Sequence, residues 1–200
     1  MRSSTSQYLA RAGTALGWAA LALQLWLTLG NIEAAGGTLL AGVWRYLGYF
    51  TVIANLFAAF TLTGVALGRI APRREFAAVT AMLLVGIVYS LLLRGTWNPQ
   101  GLQKLADVAL HDVMPVLVLL VWLLRPRRRL GVKDTWVAVV LPLGYVVYAM
   151  ARGALDGWYP YAFLDVPVLG VAQVTLNCLG MGAAFLVMAL LLTWLDRVLP

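Results

Sequence analysis

The stretch FAAVTAMLLVGIVYSLLL, from Phe76 to Leu93, contains no charged residue. It is close in length to the roughly 20 apolar residues that cross a bilayer core as a helix. Similar runs recur along the whole chain: hydrophobic residues make up 62% of the sequence and charged residues only 12%. So few charges cannot cover the surface of a water-soluble domain. The sequence therefore predicts an integral membrane protein.

Six apolar runs, separated by charges and helix breakers, predict an all-α bundle of six transmembrane helices in which residues 1–200 form a single domain. The first run resembles a signal sequence, but no small-residue cleavage site follows it, so it is interpreted as a retained span. The predicted spans run from Gly13 to Leu29, Tyr46 to Gly68, Phe76 to Leu93, Leu105 to Leu124, Thr135 to Met150 and Leu169 to Trp194.

The basic residues predict the orientation of the bundle. Of the fifteen Lys and Arg residues, eleven lie at the two chain ends and in the second and fourth loops, and the remaining four lie in the other loops. Because cytoplasmic loops are enriched in Lys and Arg, both termini are predicted to be cytoplasmic. The Arg-rich usage and short loops favour a bacterial inner membrane. The inner group comprises Arg2, Arg11, Arg69, Arg73, Arg74, Arg125, Arg127, Arg128, Arg129, Lys133 and Arg197.

Polar side chains in the predicted spans gather towards the outer side. Thr51 and Asn55 lie one turn apart in the second span, and Asp107 and His111 lie one turn apart in the fourth. At about 1.5 Å of rise per residue, Thr51 and His111 both lie roughly 10 Å below the cations that flank their spans. Polar groups in hydrocarbon usually face the bundle interior. The sequence therefore predicts an outer-leaflet polar pocket, to which Tyr148, Arg152, Gln173 and Asn177 of the last two spans are also assigned.

These residue types can perform nucleophilic catalysis. A neutral imidazole at His111 can take the proton of the Thr51 hydroxyl, and Asp107 can fix the imidazole tautomer. Asn55 or Asn177 can donate to an oxyanion. The structural alternative, in which Thr51 bonds its own helix and His111 is a satisfied core residue, stays open.

Two further features bear on this pocket. Pro115 removes the intrahelical partner of the His111 carbonyl, so the helix is expected to loosen beside the single histidine. A guanidinium at Arg152 can hold a substrate carboxylate or contact lipid headgroups. One histidine and one cysteine do not predict a metal site or a haem, and no cofactor is expected. Basic residues scattered between apolar runs do not predict nucleic-acid binding.

Four motifs resemble the family of androgen-induced-gene proteins and androgen-dependent regulators of tissue-factor-pathway inhibitor, and most closely its compact prokaryotic six-span branch. The similarity covers the second to the sixth predicted span. The motifs are WRYLGYFTVIANLF (Trp44–Phe57), LLLRGTWNP (Leu91–Pro99), LADVALHDVMP (Leu105–Pro115) and GYVVYAMARGALDGWYPYAFLDV (Gly144–Val166).

The resemblance implies an intramembrane hydrolase of fatty acid esters of hydroxy fatty acids. The family's threonine nucleophile and histidine correspond to Thr51 and His111, so the resemblance selects the same pair as the depth argument. Membrane lipids or fatty acid esters are then the substrates. Two other classes stay open: a non-catalytic lipid- or small-molecule-binding protein that uses the same pocket, and a transporter. The lack of an inverted repeat disfavours the transporter.

Overall fold

The computed structural model describes residues 4–69, 71–126 and 130–199, and these residues form eight α-helices and no β-strand. Five helical segments are long and apolar enough to cross a membrane, and a bent helix pair gives a sixth if it is counted as one span. The helices are α1 (Ser4–Ala34), α2 (Leu39–Tyr46), α3 (Phe50–Ala66), α4 (Pro72–Val88), α5 (Gly101–Val108), α6 (Met114–Leu123), α7 (Thr135–Asp156) and α8 (Val166–Val198).

The chain, predicted as one domain, separates into two compact units, Met1–Arg128 and Arg129–Pro200. In the first unit, α1 packs against α2, α3 and α6, and α4 packs against α3 and α6. Small residues allow these close approaches: a Cβ atom at Gly17 would lie 2.8 Å from the Met114 side chain. Alanines such as Ala54, Ala58 and Ala78 are fully buried in the same core.

The second predicted span is not one helix. The chain leaves the helical path at Leu47–Tyr49, and α2 and α3 meet at a bend of 78°. Gly48 lies within this break, and the Tyr46 hydroxyl donates to the Leu21 carbonyl oxygen at 3.0 Å, which ties the end of α2 to α1. The predicted start at Tyr46 is therefore wrong. The helix that follows the break starts at Phe50 and carries Thr51 in its first turn.

Two π-helical turns interrupt the long helices of the first unit. The first, Tyr89–Leu93, follows α4, and the second, Ala109–Val113, joins α5 to α6. The second contains His111 and lies directly before Pro115, so the predicted loosening beside His111 is confirmed. Such turns often occur at functional sites. They also shift side chains around the helix axis relative to a regular α-helix.

The second unit is built from α7 and α8, which pack together. Asp196 accepts a hydrogen bond from the Leu130 backbone N–H at 2.9 Å, and Arg197 donates to the Leu130 carbonyl at 3.1 Å, so the end of α8 fixes the start of this unit. Near its other end, α8 bends at Gly170, where φ is +78°, a value that favours glycine. Helix α7 continues past Met150, the predicted end of the fifth span, and α8 begins before Leu169, the predicted start of the sixth. Of the basic residues used for orientation, Arg2, Arg127, Arg128 and Arg129 lie outside the described residues.

Candidate active site

The side chains of Thr51 and His111 meet in the first unit. Thr51 Oγ1 lies 3.2 Å from His111 Nε2, and the two residues are sixty positions apart in the chain. The first turn of α3 carries Thr51, and the π-helical turn between α5 and α6 carries His111. The imidazole side chain is 14% exposed. The structure therefore joins the two residues that the sequence paired, while their chemical roles stay predictions.

The other ring nitrogen of His111 faces Asp107. Nδ1 lies 3.0 Å from the Asp107 backbone carbonyl oxygen and 3.2 Å from carboxylate Oδ1. The carbonyl oxygen makes the hydrogen bond, whereas Oδ1 makes only a charge contact with the same ring nitrogen. Both neighbours are acceptors, so Nδ1 carries the ring hydrogen. Nε2 then carries a lone pair, which faces the Thr51 hydroxyl at 3.2 Å and can accept its proton.

Tyr89 completes this cluster, although the sequence analysis did not assign it to the site. Its hydroxyl donates to Asp107 Oδ2 at 2.5 Å. Its ring stacks on the imidazole of His111, with 3.9 Å between ring centroids and 18° between ring planes. The contact was not predictable from spacing, because it depends on two π-helical turns lying side by side.

Asn55 holds the two helices of the site together. Its amide nitrogen donates to the carbonyl oxygens of Thr51 at 2.9 Å and of Leu110 at 3.2 Å. The residue is fully buried, and both amide hydrogens are thus in use. An oxyanion role for Asn55 would require one of these bonds to break. The observed contacts instead make Asn55 a clamp between α3 and the turn that carries His111.

An ion pair lies beside the cluster. Arg94 donates to the carboxylate of Asp112, and its guanidinium carbon lies 4.9 Å from the centroid of the Tyr89 ring. The two charged side chains are 47% and 35% exposed. The three side chains therefore form a row. The Arg94 guanidinium lies over the Tyr89 ring at the exposed end, and the other side of the row is the His111 ring, which stacks on Tyr89.

Arg152 and Tyr148, predicted to line the same pocket, belong to the second unit. Arg152 is only 2% exposed; it donates to the Tyr148 hydroxyl at 3.2 Å and lies 3.5 Å from Asp156 Oδ2. Its guanidinium also lies 4.9 Å from the Trp158 ring centroid. These contacts account for a buried guanidinium within its own unit, and the assignment of Arg152 to a substrate carboxylate or to lipid headgroups stays a prediction. The carboxylate beside Arg152 is supplied by the chain itself.

Gln173 and Asn177 also lie in the second unit. Gln173 Nε2 donates to Asn177 Oδ1 at 3.0 Å, and Asn177 Nδ2 donates to the Phe163 carbonyl oxygen at 2.8 Å. The pair thus ties the aromatic loop before α8 back onto that helix. The structure brings together Thr51, Asn55, Asp107 and His111, whereas Tyr148, Arg152, Gln173 and Asn177 are accounted for by contacts within their own unit.

Among the described residues, no group of three or more His, Cys, Asp and Glu side chains could hold a metal ion. No protein-family model matches the chain, and no curated protein or solved structure matches it. The arrangement around Thr51 must therefore be interpreted from its own geometry. A hydroxyl that contacts an imidazole, which in turn contacts a carboxylate, is the arrangement that activates a nucleophile in acyl-transfer enzymes.

Proposed function

We propose that the chain is an intramembrane, threonine-dependent esterase of lipid esters, with Thr51 as nucleophile and His111 as general base. One observation carries the proposal: the Thr51 hydroxyl lies 3.2 Å from Nε2, while Nδ1 faces two acceptors of Asp107. This arrangement leaves the basic nitrogen on the side of the hydroxyl. A 3.2 Å separation is within the reach expected of a nucleophile and its base.

In the proposed reaction, Thr51 Oγ1 attacks the ester carbonyl carbon while its proton passes to His111 Nε2. The tetrahedral intermediate then collapses: the carbon–oxygen bond to the leaving alcohol breaks, and the alkoxide takes the proton from Nε2. Water repeats the sequence on the acyl-threonine, which releases the fatty acid and returns the proton to Thr51. The carboxylate of Asp107 stabilises the imidazolium formed in each half.

The surroundings of the pair support a lipid substrate. The cluster packed beside it consists of aliphatic and aromatic side chains, with Leu21, Val52, Ala109 and Leu110 buried at its centre. Apolar walls with a few convergent polar groups are typical of small-molecule sites. An ester flanked by acyl chains matches these apolar surroundings. The resemblance to hydrolases of fatty acid esters of hydroxy fatty acids supports the same substrate class.

The experiment that tests this proposal is labelling of the purified protein with a fluorophosphonate probe. Wild type and Thr51→Ser should label, whereas Thr51→Ala and His111→Ala should not. Thr61→Ala is the matched control, because Thr61 lies on the same helix and its hydroxyl donates to the Phe57 carbonyl at 2.8 Å. Labelling that survives Thr51→Ala would remove the nucleophile assignment. An inert wild type that retains a bound acyl chain would support non-catalytic binding instead.

We further propose six spans, with α2 and α3 together as the second, both termini in the cytoplasm and residence in a bacterial inner membrane. The distribution of basic residues supports this orientation. Cysteines introduced at the exposed positions Ala35 and Lys133, in a Cys178→Ala background, test it. A membrane-impermeant maleimide should modify position 35 from outside the cell and position 133 only after lysis. The reverse pattern would invert the topology.

A further inference from the structure

We infer that Tyr89 is a positioning residue, which holds the carboxylate of Asp107 and the ring of His111 so that Nε2 remains the base for Thr51. This inference rests on the proposed function, because a base needs positioning only if Thr51 reacts. Tyr89 contacts both partners at once: its hydroxyl donates to Asp107 Oδ2 at 2.5 Å, and its ring stacks on the imidazole. Both Tyr89 and Asp107 are about 4% exposed.

The hydroxyl acts on the carboxylate. A carboxylate can rotate about its Cβ–Cγ bond, and either oxygen can then face the imidazole. The Tyr89 bond fixes Oδ2, and this leaves Oδ1 at 3.2 Å from His111 Nδ1. A buried anion also needs hydrogen-bond donors to remain charged. Loss of the hydroxyl would therefore weaken the attraction of Oδ1 for a hydrogen on Nδ1. That hydrogen would then be held by the Asp107 backbone carbonyl oxygen alone, and the share of the tautomer with the hydrogen on Nε2 would rise.

The ring acts on the imidazole. With 3.9 Å between centroids and 18° between planes, the Tyr89 ring covers one face of His111 and opposes rotation out of the plane that contains Thr51 Oγ1. Arg94 lies over the Tyr89 ring at 4.9 Å. An offset or parallel stack of this kind contributes stability beyond the burial of area. The orientation of the imidazole therefore depends on the aromatic ring as well as on the carboxylate.

Two backbone features allow the Tyr89 ring to contact His111. Gly86 lies one turn before Tyr89 on α4, and a Cβ atom there would stand 3.1 Å from the His111 carbonyl oxygen. The missing side chain lets α4 approach the π-helical turn of His111. Directly after α4, the π-helical turn Tyr89–Leu93 begins with the tyrosine itself. Close approach and altered register together place the ring on the imidazole.

The histidine can be observed directly, since His111 is the only histidine of the chain. In protein labelled with ¹⁵N-histidine, the nitrogen shifts report which ring nitrogen carries the hydrogen, without any assignment step. Wild type should show one tautomer, with the hydrogen on Nδ1. Tyr89→Phe retains the ring and removes the hydroxyl, and it should show both tautomers in exchange. Tyr46→Phe is the matched control: it removes another buried hydroxyl, one bonded to Leu21, and should keep the wild-type spectrum.

Labelling by the fluorophosphonate probe supplies the second measurement. Outer hydrogen-bond partners of metal-binding histidines are typically worth about 10- to 100-fold. We expect Tyr89→Phe to slow labelling by a similar factor, because the partner again acts by orienting a histidine. Tyr89→Leu, which also removes the stack, should slow it further. If Tyr89→Phe does not fold, Asp107→Asn takes its place: the amide oxygen still accepts from Tyr89, which turns the NH2 group towards Nδ1 in place of Oδ1, and mixed tautomers are again expected.

The outcomes separate the two proposals. Mixed tautomers and slow labelling in Tyr89→Phe support the positioning role. Wild-type spectrum and labelling rate in that variant overturn it and leave the esterase proposal intact. A single tautomer in Asp107→Asn overturns it as well. A wild-type protein that neither labels nor hydrolyses esters overturns the esterase proposal, and the catalytic role of Tyr89 with it.

Discussion

Two buried carboxylates lie at opposite ends of the same antiparallel helix pair, and their partners differ. At one end, Glu75 in the first turn of α4 pairs with Arg125, which follows α6; the carboxylate oxygens lie 2.8 Å and 3.0 Å from the guanidinium nitrogens. At the other end, Asp107 faces the imidazole of His111 and accepts from Tyr89. Each centre joins α4 to the helix that runs from Gly101 to Leu123.

The two centres differ in whether the partner of the carboxylate can exchange a proton. A guanidinium is always charged and does not release a proton in proteins, so Glu75 and Arg125 form a permanent ion pair. An imidazole can take up a proton and release it, so the Asp107 centre can perform acid–base work. Two centres of similar burial thus differ: one holds a fixed ion pair, and the other holds a group that can exchange a proton. The predictions below test this contrast, from the largest expected effect to the smallest.

Removal of the imidazole should have the largest effect. His111→Gln keeps a polar side chain of similar reach but provides no base, and loss of a general base costs about 10²- to 10⁴-fold in rate. The fluorophosphonate labelling rate should fall by this factor, while the unfolding midpoint in detergent changes little. If the rate is unchanged, the Asp107 centre is as inert as the Glu75 centre and the contrast fails.

Removal of one partner of the other centre should affect stability instead. Arg125→Met removes the guanidinium that pairs with the buried Glu75 carboxylate, and a broken buried pair costs about 3–5 kcal/mol. Unfolding in mixed micelles with increasing SDS fraction measures this loss. The double variant with Glu75→Leu should recover most of it. Labelling per folded molecule should remain at the wild-type rate; a loss as large as that of His111→Gln would show that the two centres are coupled.

A methyl group at Gly86 should disturb the reactive end alone. Its Cβ atom would lie 3.1 Å from the His111 carbonyl oxygen, and overpacking of a tight contact costs about 1–3 kcal/mol. Gly86→Ala should therefore lower both stability and the labelling rate. Gly144→Ala on α7 is the matched control, because nothing lies within 4 Å of its added Cβ atom. Equal effects of the two substitutions would contradict the close approach of α4.

The smallest effect is expected at the exposed pair. Asp112 and Arg94 are partly solvated, so their attraction is screened and side-chain entropy opposes it. Asp112→Asn should change the labelling rate by less than about twofold and should leave the unfolding midpoint unchanged. Both quantities can be measured at low and at high salt. A strong, salt-dependent loss of labelling would extend the reactive centre to include Asp112.

Much of the architecture was accessible from the sequence, because long apolar runs have few alternatives to a membrane-crossing helix. The pairing of Thr51 with His111 was also accessible, since equal depth below the surface restricts which residues can meet. Pro115 gave a further local signal, because a missing N–H must disturb the preceding turn. Each of these inferences rests on spacing along one helix.

The remaining features depend on contacts between helices. The break at Leu47–Tyr49 was missed because Gly48 is tolerated inside membrane helices, and the bond from Tyr46 to Leu21 cannot be read from either segment alone. The stack of Tyr89 on His111 depends on irregular turns in two helices at once. Likewise, Arg152 pointed to a substrate by charge and depth, but the side chain is occupied by neighbours in its own unit.

The bend between α2 and α3 also bears on the bilayer itself. Because α2 meets α3 at 78°, it adds little to the depth of the pair. With 17 residues, α3 itself rises about 25 Å, which is less than the about 30 Å of an average hydrocarbon core. A short helix is accommodated by local thinning of the lipid. Thr51 lies at the end of this helix, so the thinned leaflet would shorten the path of the hydrolytic water to the acyl-threonine. Turnover would then depend on lipid chain length, with thicker bilayers slowing deacylation more than acylation.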